Sequence, residues 1–111
     1  MPSVYVPDTG DMVWIDFDPQ AGHEQAKRRP AVVLSPAAYN VRAGLMLCCP
    51  TTTKIKGYPF EVKLSGDPAS VALADQVKSF DWRARRAQKK GSVTGSELTE
   101  IRAKLEVLIF S

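Results

Sequence analysis

The sequence is built mainly from short apolar runs, each closed by glycine, proline or small polar residues. Runs of this length are typical of β-strands, whereas an ordinary helix needs a longer periodic pattern. Strands are predicted at residues 11–17, 30–35, 44–50, 58–64 and 71–80, and a further short strand is considered at 87–93. None of these runs reaches the roughly 18 apolar residues that a membrane-spanning helix requires.

The C-terminal segment has a different pattern. Its apolar residues recur at helical spacing: Leu98, Ile101, Leu105, Leu108 and Ile109. Thr94 and Glu97 fit an N-cap and its reciprocal partner three residues later. The sequence therefore predicts a mainly β (α+β) fold, a small SH3-like curled barrel of five to seven strands with one C-terminal α-helix.

The length suits one domain. A chain of 111 residues that is 44% hydrophobic can build one core but not two. No repeat, linker or low-complexity segment divides it, so residues 1–111 are predicted to form a single domain. The first residues do not combine a cationic stretch with an apolar one, and a cytoplasmic protein is therefore expected.

The two cysteines, Cys48 and Cys49, are neighbours within one predicted strand. Their side chains should point to opposite faces, so a bond between them is disfavoured and both are expected to be reduced. With one histidine and no cluster at ligand spacing, the sequence gives little support for a metal site. We expect no cofactor.

Positive charge is concentrated in two segments, although the net charge is only +3. Residues 81–90 carry five cations and one acid, and residues 27–29 are all basic. Such clusters suit a polyanionic partner. A solvated basic surface that aids solubility is the alternative, and charge alone does not separate the two.

Five phrases along the chain carry a family resemblance. They are GDMVWIDFDP, GHEQAKRRPAVVLSP, PTTT, KGYPFEV and ALADQVKSFDWRAR. Together they resemble the MazF family, the toxin halves of bacterial toxin–antitoxin pairs. The resemblance implies a CcdB/PemK-type barrel, a homodimer and metal-independent cleavage of single-stranded RNA (mRNA) at a short sequence, with ACA expected within it. It also implies a cognate acidic, MazE-like antitoxin whose extended C-terminal segment covers the RNA groove.

The resemblance also assigns site residues. The family's two motifs fall on Glu24, Gln25, Arg29 and Pro30, and on Pro50 and Thr52. Arg29 and Thr52 correspond to the catalytic pair. The residues predicted to bind RNA are Phe17, Gln25, Asn40, Lys54, Lys56, Tyr58, Asp75, Gln76 and Lys78. Lys27 departs from the family, whose close members tend to have glycine there.

The chemistry of cleavage without a metal explains these residue types. The ribose 2′-hydroxyl attacks, and the resemblance implies a 2′,3′-cyclic phosphate and a 5′-hydroxyl as products. Arg29 can neutralise the charge on the phosphorane, because a guanidinium is a planar fork of donors that stays charged. Thr52 can donate its hydroxyl to a non-bridging oxygen. Glu24 is the carboxylate in the motif that can accept the 2′-proton, and a proton relay through Arg29 is the alternative within the family.

Each candidate has a structural alternative. Arg29 could pair with Asp16 or Asp18 on the neighbouring strand. Residues 51–53 could be turn residues that cap backbone groups. His23 matches no family motif and is expected to be an exposed loop residue.

Two other function classes stay open at this level. One is a protein-binding poison of the gyrase-directed CcdB type, and the other is a nucleic-acid-binding module that does not cleave. The tryptophans, Trp14 and Trp82, are expected in the core or an interface rather than under a base. The segment 45–49 and the C-terminal helix are the candidate dimer surfaces.

Overall fold

The computed structural model describes residues 4–17 and 28–111, where seven strands form one curled antiparallel sheet. The strands are β1 (Asp11–Asp16), β2 (Arg28–Val33), β3 (Leu45–Thr52), β4 (Glu61–Leu64), β5 (Ser70–Leu73), β6 (Lys78–Asp81) and β7 (Gln88–Ser92). The helices are α1 (Ala37–Ala43) and α2 (Gly95–Phe110). The predicted curled sheet with a C-terminal helix is confirmed.

The long strand β3 bends the sheet. It pairs with β2 on one edge, while its other edge is shared between β6 and β5. β6 takes the first half of β3 and β5 takes its last two residues. The remaining order is β4-β5-β3-β2-β1-β7. This exchange of partners along one strand lets the sheet curl around its core.

Strand alternation gives the sheet two buried faces. Val13 and Ile15 of β1 belong to one apolar cluster, which also contains Trp82. Val32 of β2 belongs to the other cluster, which Ile101 of α2 covers. A strand that is buried on both faces reads as a nearly continuous apolar run, which is why the sequence predicted β1 and β2 clearly.

The adjacent cysteines divide between these two faces. Cys48 lies in the first cluster and Cys49 in the second, and both are fully buried free thiols. This confirms that they do not bridge each other. Burial raises the pKa of each thiol to about 12, so neither supplies a thiolate near neutral pH.

The helix α2 begins as predicted and ends differently. Thr94 Oγ1 accepts a hydrogen bond from Glu97 N at 3.1 Å, and Glu97 Oε1 accepts one from Thr94 N at 2.8 Å. Ile101 is fully buried, but Leu108 and Ile109 are 47% and 62% exposed. The last turn of the predicted apolar pattern therefore does not face this chain's core. In the described segments, neither helix has the length and apolar character to cross a membrane.

Three local features differ from the prediction. Helix α1 lies between the predicted strands 30–35 and 44–50, where no helix is predicted; it follows Pro36 and is capped by Gly44, which adopts a left-handed φ of 72°. The predicted strand 71–80 is split by a 3₁₀ turn at Ala74–Gln76. β4 starts three residues late, because the Glu61 carboxylate accepts hydrogen bonds from the preceding loop's backbone.

Candidate functional site

A groove of about 570 Å³ lies along one side of the sheet. Strands β1, β2, β3 and β7 contribute to it, and the loop between β4 and β5 forms the opposite wall. Its lining residues are Met12, Trp14, Arg29, Pro30, Thr51, Thr52, Thr53, Lys54, Ser65, Gly66, Asp67, Pro68, Ser70, Lys90, Gly91 and Ser92.

Arg29 and Thr52 both line this groove. The β2–β3 register pairs Ala31 with Pro50, and its continuation by two residues sets Arg29 opposite Thr52. Arg29 is exposed and Thr52 is half-buried. The fold therefore brings together the two residues that the sequence predicted as a catalytic pair.

The Thr52 hydroxyl has a defined orientation. Its oxygen accepts a hydrogen bond from the backbone N–H of Lys54 at 3.0 Å, which leaves the hydroxyl hydrogen free to donate. The neighbouring Thr51 donates to the carbonyl of Pro30 at 3.2 Å. Thr52 therefore caps a local backbone N–H, as the structural alternative predicted. Because the hydroxyl oxygen is the acceptor in this bond, the hydroxyl hydrogen stays available to another acceptor.

The carboxylate of Asp16 pairs with Arg28, not with Arg29. Arg28 Nη1 donates to Asp16 Oδ1 at 2.8 Å, while Arg28 Nη2 donates to the carbonyl of Arg86 at 2.8 Å. Successive strand residues point to opposite faces, so this contact leaves Arg29 directed away from Asp16. The alternative of an Arg29–Asp16 pair is therefore wrong, and Asp18 lies outside the described residues.

A second arginine completes the surroundings of Asp16. Arg86 Nε donates to Asp16 Oδ2 at 2.7 Å and Arg86 Nη2 to Oδ1 at 3.2 Å. The hydrogen bonds from Arg86, together with those from Arg28, hold the pKa of Asp16 below its usual range despite its burial. Arg85 adds backbone contacts, because its Nη1 donates to the carbonyls of Asp16 and Phe17.

Most cations of the basic segment 81–90 contact other side chains of the chain, although four of the five are exposed. The guanidinium of Arg83 stacks 4.2 Å from the Trp82 ring and that of Arg85 stacks 4.1 Å from the Phe80 ring. Arg86 binds Asp16, and Lys89 Nζ lies 3.5 Å from Asp11 Oδ1. Of the five cations, Lys90 is the one that lines the groove. The interpretation of this segment as a cluster that suits a polyanion stays a prediction, with Lys90 as its contribution to the groove.

Trp14 is a groove residue that sequence reasoning placed in the core or an interface. It is half-buried, lines the groove, and has Lys90 Nζ 5.4 Å from its ring centroid. The available signal was strand alternation, since Trp14 lies between the core residues Val13 and Ile15 and must point to the other face. Trp82, in contrast, is buried in the core as expected.

The predicted RNA-binding residues of the β3–β4 loop are accessible. Tyr58 is 60% exposed, and Lys56 Nζ lies 5.7 Å from its ring centroid. Glu61 shapes this loop by accepting hydrogen bonds from the backbone of Lys56 at 3.1 Å and of Gly57 at 2.9 Å. Lys54, at the start of the loop, is exposed and lines the groove directly.

Four other predicted RNA-binding residues lie away from the groove lining. Asp75 and Gln76 are exposed on the 3₁₀ turn, and Lys78 is exposed on β6. Phe17 is half-buried, and its ring packs edge-to-face on Phe80 with centroids 5.3 Å apart. Their roles stay predictions.

Asn40 does not fit its predicted role. It is fully buried in α1, where its side-chain nitrogen donates to the carbonyls of Pro7 and Ser35, and its side-chain oxygen accepts from the Ser35 hydroxyl. Its backbone carbonyl also accepts from the indole of Trp82. The prediction that Asn40 contacts RNA is therefore corrected, because its amide is sealed from solvent and bonded within the fold.

Two predicted site residues, Glu24 and Gln25, lie outside the described residues, as do His23 and Lys27. Among the residues described, no group of three or more His, Cys, Asp or Glu side chains is arranged to hold a metal ion.

Comparisons with known proteins agree with one another. Residues 8–109 match the family described as PemK-like, MazF-like toxins of type II toxin–antitoxin systems. The chain is 63% identical to the endoribonuclease toxin MazF of Escherichia coli (strain K12) over 110 residues, which are 98% of this chain and 99% of that protein. It is 33% identical to the endoribonuclease toxin ChpB of the same strain over 92% of this chain and 93% of that one.

Solved structures give the same result. The crystal structure of MazF from Deinococcus radiodurans superposes with a TM-score of 0.86 at 53% identity, covering 97% of this chain and 100% of that one. A MazE–MazF crystal structure from the same organism gives a TM-score of 0.85 at 47% identity, over 96% and 98% of the two chains.

Proposed function

The chain belongs to the family of PemK-like, MazF-like toxins of type II toxin–antitoxin systems, and from this premise we propose that the groove is where it cleaves single-stranded RNA without a metal ion. At the coarser level it is an endoribonuclease toxin whose partner is a MazE-like antitoxin. The cleavage site, the chemistry and the residues involved are the content of the proposal.

One observation carries the proposal. Of two adjacent arginines, Arg28 is bonded to Asp16 whereas Arg29 is exposed in a groove beside a threonine hydroxyl. In the described part of the chain, no carboxylate lies within ion-pair distance of Arg29. A guanidinium and a hydroxyl that line one groove are suited to hold the two non-bridging oxygens of a phosphodiester.

The reaction proceeds by attack of the 2′-hydroxyl on the adjacent phosphorus, with loss of the 5′-oxygen of the next nucleotide. Arg29 neutralises the charge that develops on the phosphorane, and Thr52 donates to one of its oxygens. Glu24 accepts the 2′-proton as general base. The departing 5′-oxygen takes up a proton from solvent water, so the products are a 2′,3′-cyclic phosphate and a 5′-hydroxyl.

The groove walls hold the strand. Lys54 and Lys90 contact phosphates on either side of the scissile one. Tyr58, on the β3–β4 loop outside the groove lining, offers an exposed ring for a base. Trp14 adds a half-buried aromatic wall within the groove. We propose a short recognition sequence that contains ACA, on the basis of the family resemblance.

The active unit is proposed to be a homodimer in the cytoplasm. Large apolar side chains are exposed on both candidate dimer surfaces, Leu45 and Leu47 on β3 and Val107–Phe110 at the end of α2. The acidic segment of the antitoxin would occupy the groove, where Arg29, Lys54 and Lys90 provide positive charge.

The test is cleavage of a long single-stranded RNA by the purified protein in the presence of a chelator, with the ends mapped. Cuts that recur at one short sequence and require the 2′-hydroxyl at the scissile position support the proposal. Arg29→Ala should abolish them. Arg42→Ala, which removes an exposed arginine from α1, serves as the control and should cleave normally. RNA that stays intact with the wild-type protein would refute the proposal.

A further inference from the structure

Three residues are joined at the end of the β1–β2 pair where the connecting segment leaves β1 and enters β2, and we call them the Asp16 clamp: Asp16, Arg28 and Arg86. Asp16 ends β1, Arg28 begins β2, and Arg86 comes from the turn that precedes β7. Four side-chain hydrogen bonds of 2.7–3.2 Å join them, counting the bond from Arg28 to the Arg86 carbonyl. The side chain of Asp16 is only 7% exposed.

Arg29 depends on this end of the hairpin. It is the second residue of β2 and lies between Arg28 and Pro30. Because Pro30 has no N–H, it cannot donate to the ladder with Trp14, its partner in the register. Arg28 and Arg29, the two residues of β2 that precede Pro30, are therefore expected to fray from β1. The clamp fixes the first of them through its side chain and so limits the motion of the second.

The backbone of Arg86 supports a dedicated role. Arg86 is the one described non-glycine residue with positive φ, at 55°. An L-residue with a long side chain is disfavoured in this left-handed conformation, which glycine adopts easily. In this conformation the guanidinium of Arg86 reaches both oxygens of Asp16.

We propose that the Asp16 clamp positions Arg29 for catalysis, with Asp16 and Arg86 acting as positioning residues that do not touch the RNA. The inference rests on the proposed function, in which Arg29 holds the scissile phosphate. It assigns a role to Asp16, Arg28 and Arg86 that is separate from RNA binding.

Arg86→Gly tests the proposal without straining the fold, because glycine suits the backbone at this position and only the guanidinium is lost. We expect kcat on a short RNA substrate to fall by roughly 10- to 100-fold, the scale expected when a catalytic group is misplaced by a remote substitution. The Kd for an RNA with a 2′-deoxy scissile position should change less than about twofold. Arg86→Lys should recover part of the loss.

Lys63→Gln is the matched control, since it removes one exposed cation from β4, outside the groove and the clamp. It should leave both kcat and Kd unchanged. A wild-type kcat in Arg86→Gly would overturn the inference. If the wild-type protein itself fails to cleave, the proposed function fails instead, so the two failures are distinguishable.

A double-mutant cycle covers the case in which Arg86→Gly also lowers the melting temperature. Asp16→Asn and Arg86→Gly act on one network, so the double variant should lose no more kcat than the more damaging single variant. Losses of kcat that multiply would show that the two residues act independently, and they would overturn the clamp.

Discussion

The Asp16 clamp contains Arg28 and the groove contains Arg29, so two neighbouring arginines of β2 serve opposite purposes. Arg28 is half-buried and held by Asp16 and by the carbonyl of Arg86. Arg29, the next residue, is exposed and lines the groove with Thr52. Strand alternation separates them, because neighbouring side chains on a strand point to opposite faces.

The difference between Arg28 and Arg29 separates a structural role from the proposed catalytic one. The buried carboxylate of Asp16 accepts three hydrogen bonds from two guanidinium groups, so it is engaged within the fold and not presented to a substrate. An arginine that grips phosphate needs the reverse, an exposed guanidinium in the groove. Under the two proposals the chain meets both needs within two residues, since the clamp steadies the strand and the groove exposes Arg29.

Removing the Arg29 side chain should give the largest difference between the effect on cleavage and the effect on stability. In Arg29→Ala we expect kcat/KM for RNA cleavage to fall by about 10³-fold or more, because the phosphorane loses its charge partner. The free energy of unfolding should change by less than about 0.5 kcal/mol, as is usual for an exposed side chain. Single-turnover cleavage assays and urea denaturation check the two expectations. A large loss of stability with retained cleavage would place Arg29 in the clamp.

Thr52 tests the groove with a smaller expected effect. Thr52→Val keeps the side-chain shape but removes the hydroxyl, so cleavage should slow by about 10²-fold, the range known for a single oxyanion donor. Thr52→Ser keeps the hydroxyl and should retain most of the activity. If the valine variant cleaves as fast as the serine variant, the Thr52 hydroxyl takes no part in cleavage.

The contribution of the Asp16 clamp should be measurable as a change in melting temperature that depends on pH. The folded-state pKa of Asp16 is lowered mainly by the hydrogen bond from Arg86, and by Arg28 from β2; Arg85 faces the adjacent backbone. A carboxylate with a lowered folded-state pKa stabilises the fold at pH values above its unfolded-state pKa of about 3.9. This stabilisation is lost as the pH falls from there through the folded-state pKa. We expect Asp16→Asn to melt about 5 °C lower at pH 7, a usual shift for one destabilising substitution in a domain of this size.

Thermal melts at pH 7, 5 and 3 provide the measurement. The difference between wild type and Asp16→Asn should be constant from pH 7 to 5 and shrink below about pH 4, where Asp16 first becomes protonated in the unfolded state and, at lower pH, in the folded state. Asp75→Asn is a control, because Asp75 is exposed on the 3₁₀ turn. A difference that persists unchanged at pH 3 would contradict a charge-based clamp.

The sequence predicted the framework and the groove arginine more successfully than the partners of individual charges. Buried strands such as β1 and the capping box of α2 depend on local patterns that one segment contains in full. The burial of Asn40 depends on the nearby Ser35 and also on Pro7 and Trp82, which are distant in sequence and meet Asn40 only in the fold. No local pattern contains that information.

The same reason explains the basic segment 81–90. A run of arginines and lysines gives the amount of charge but not the position of the acids it meets. Asp16 is 70 residues from Arg86 along the chain, and the sheet joins them by pairing β1 with both β2 and β7. The family resemblance singled out Arg29 and Thr52, which line one groove, but it gave no role to Asp16, Arg28 or Arg86.

The smallest effect concerns Lys89 and Lys90, a second pair of adjacent cations with different surroundings. Lys90 lines the groove, whereas Lys89 lies near Asp11. If Lys90 contacts one phosphate, Lys90→Ala should weaken binding of a 2′-deoxy-blocked RNA and reduce the slope of log K against log salt by about 0.7. Lys89→Ala removes the same charge from the neighbouring position and should leave the slope unchanged. Equal slopes in the two variants would mean that the groove attracts RNA only through its overall field, and the contrast between held and available cations would then apply to the arginines alone.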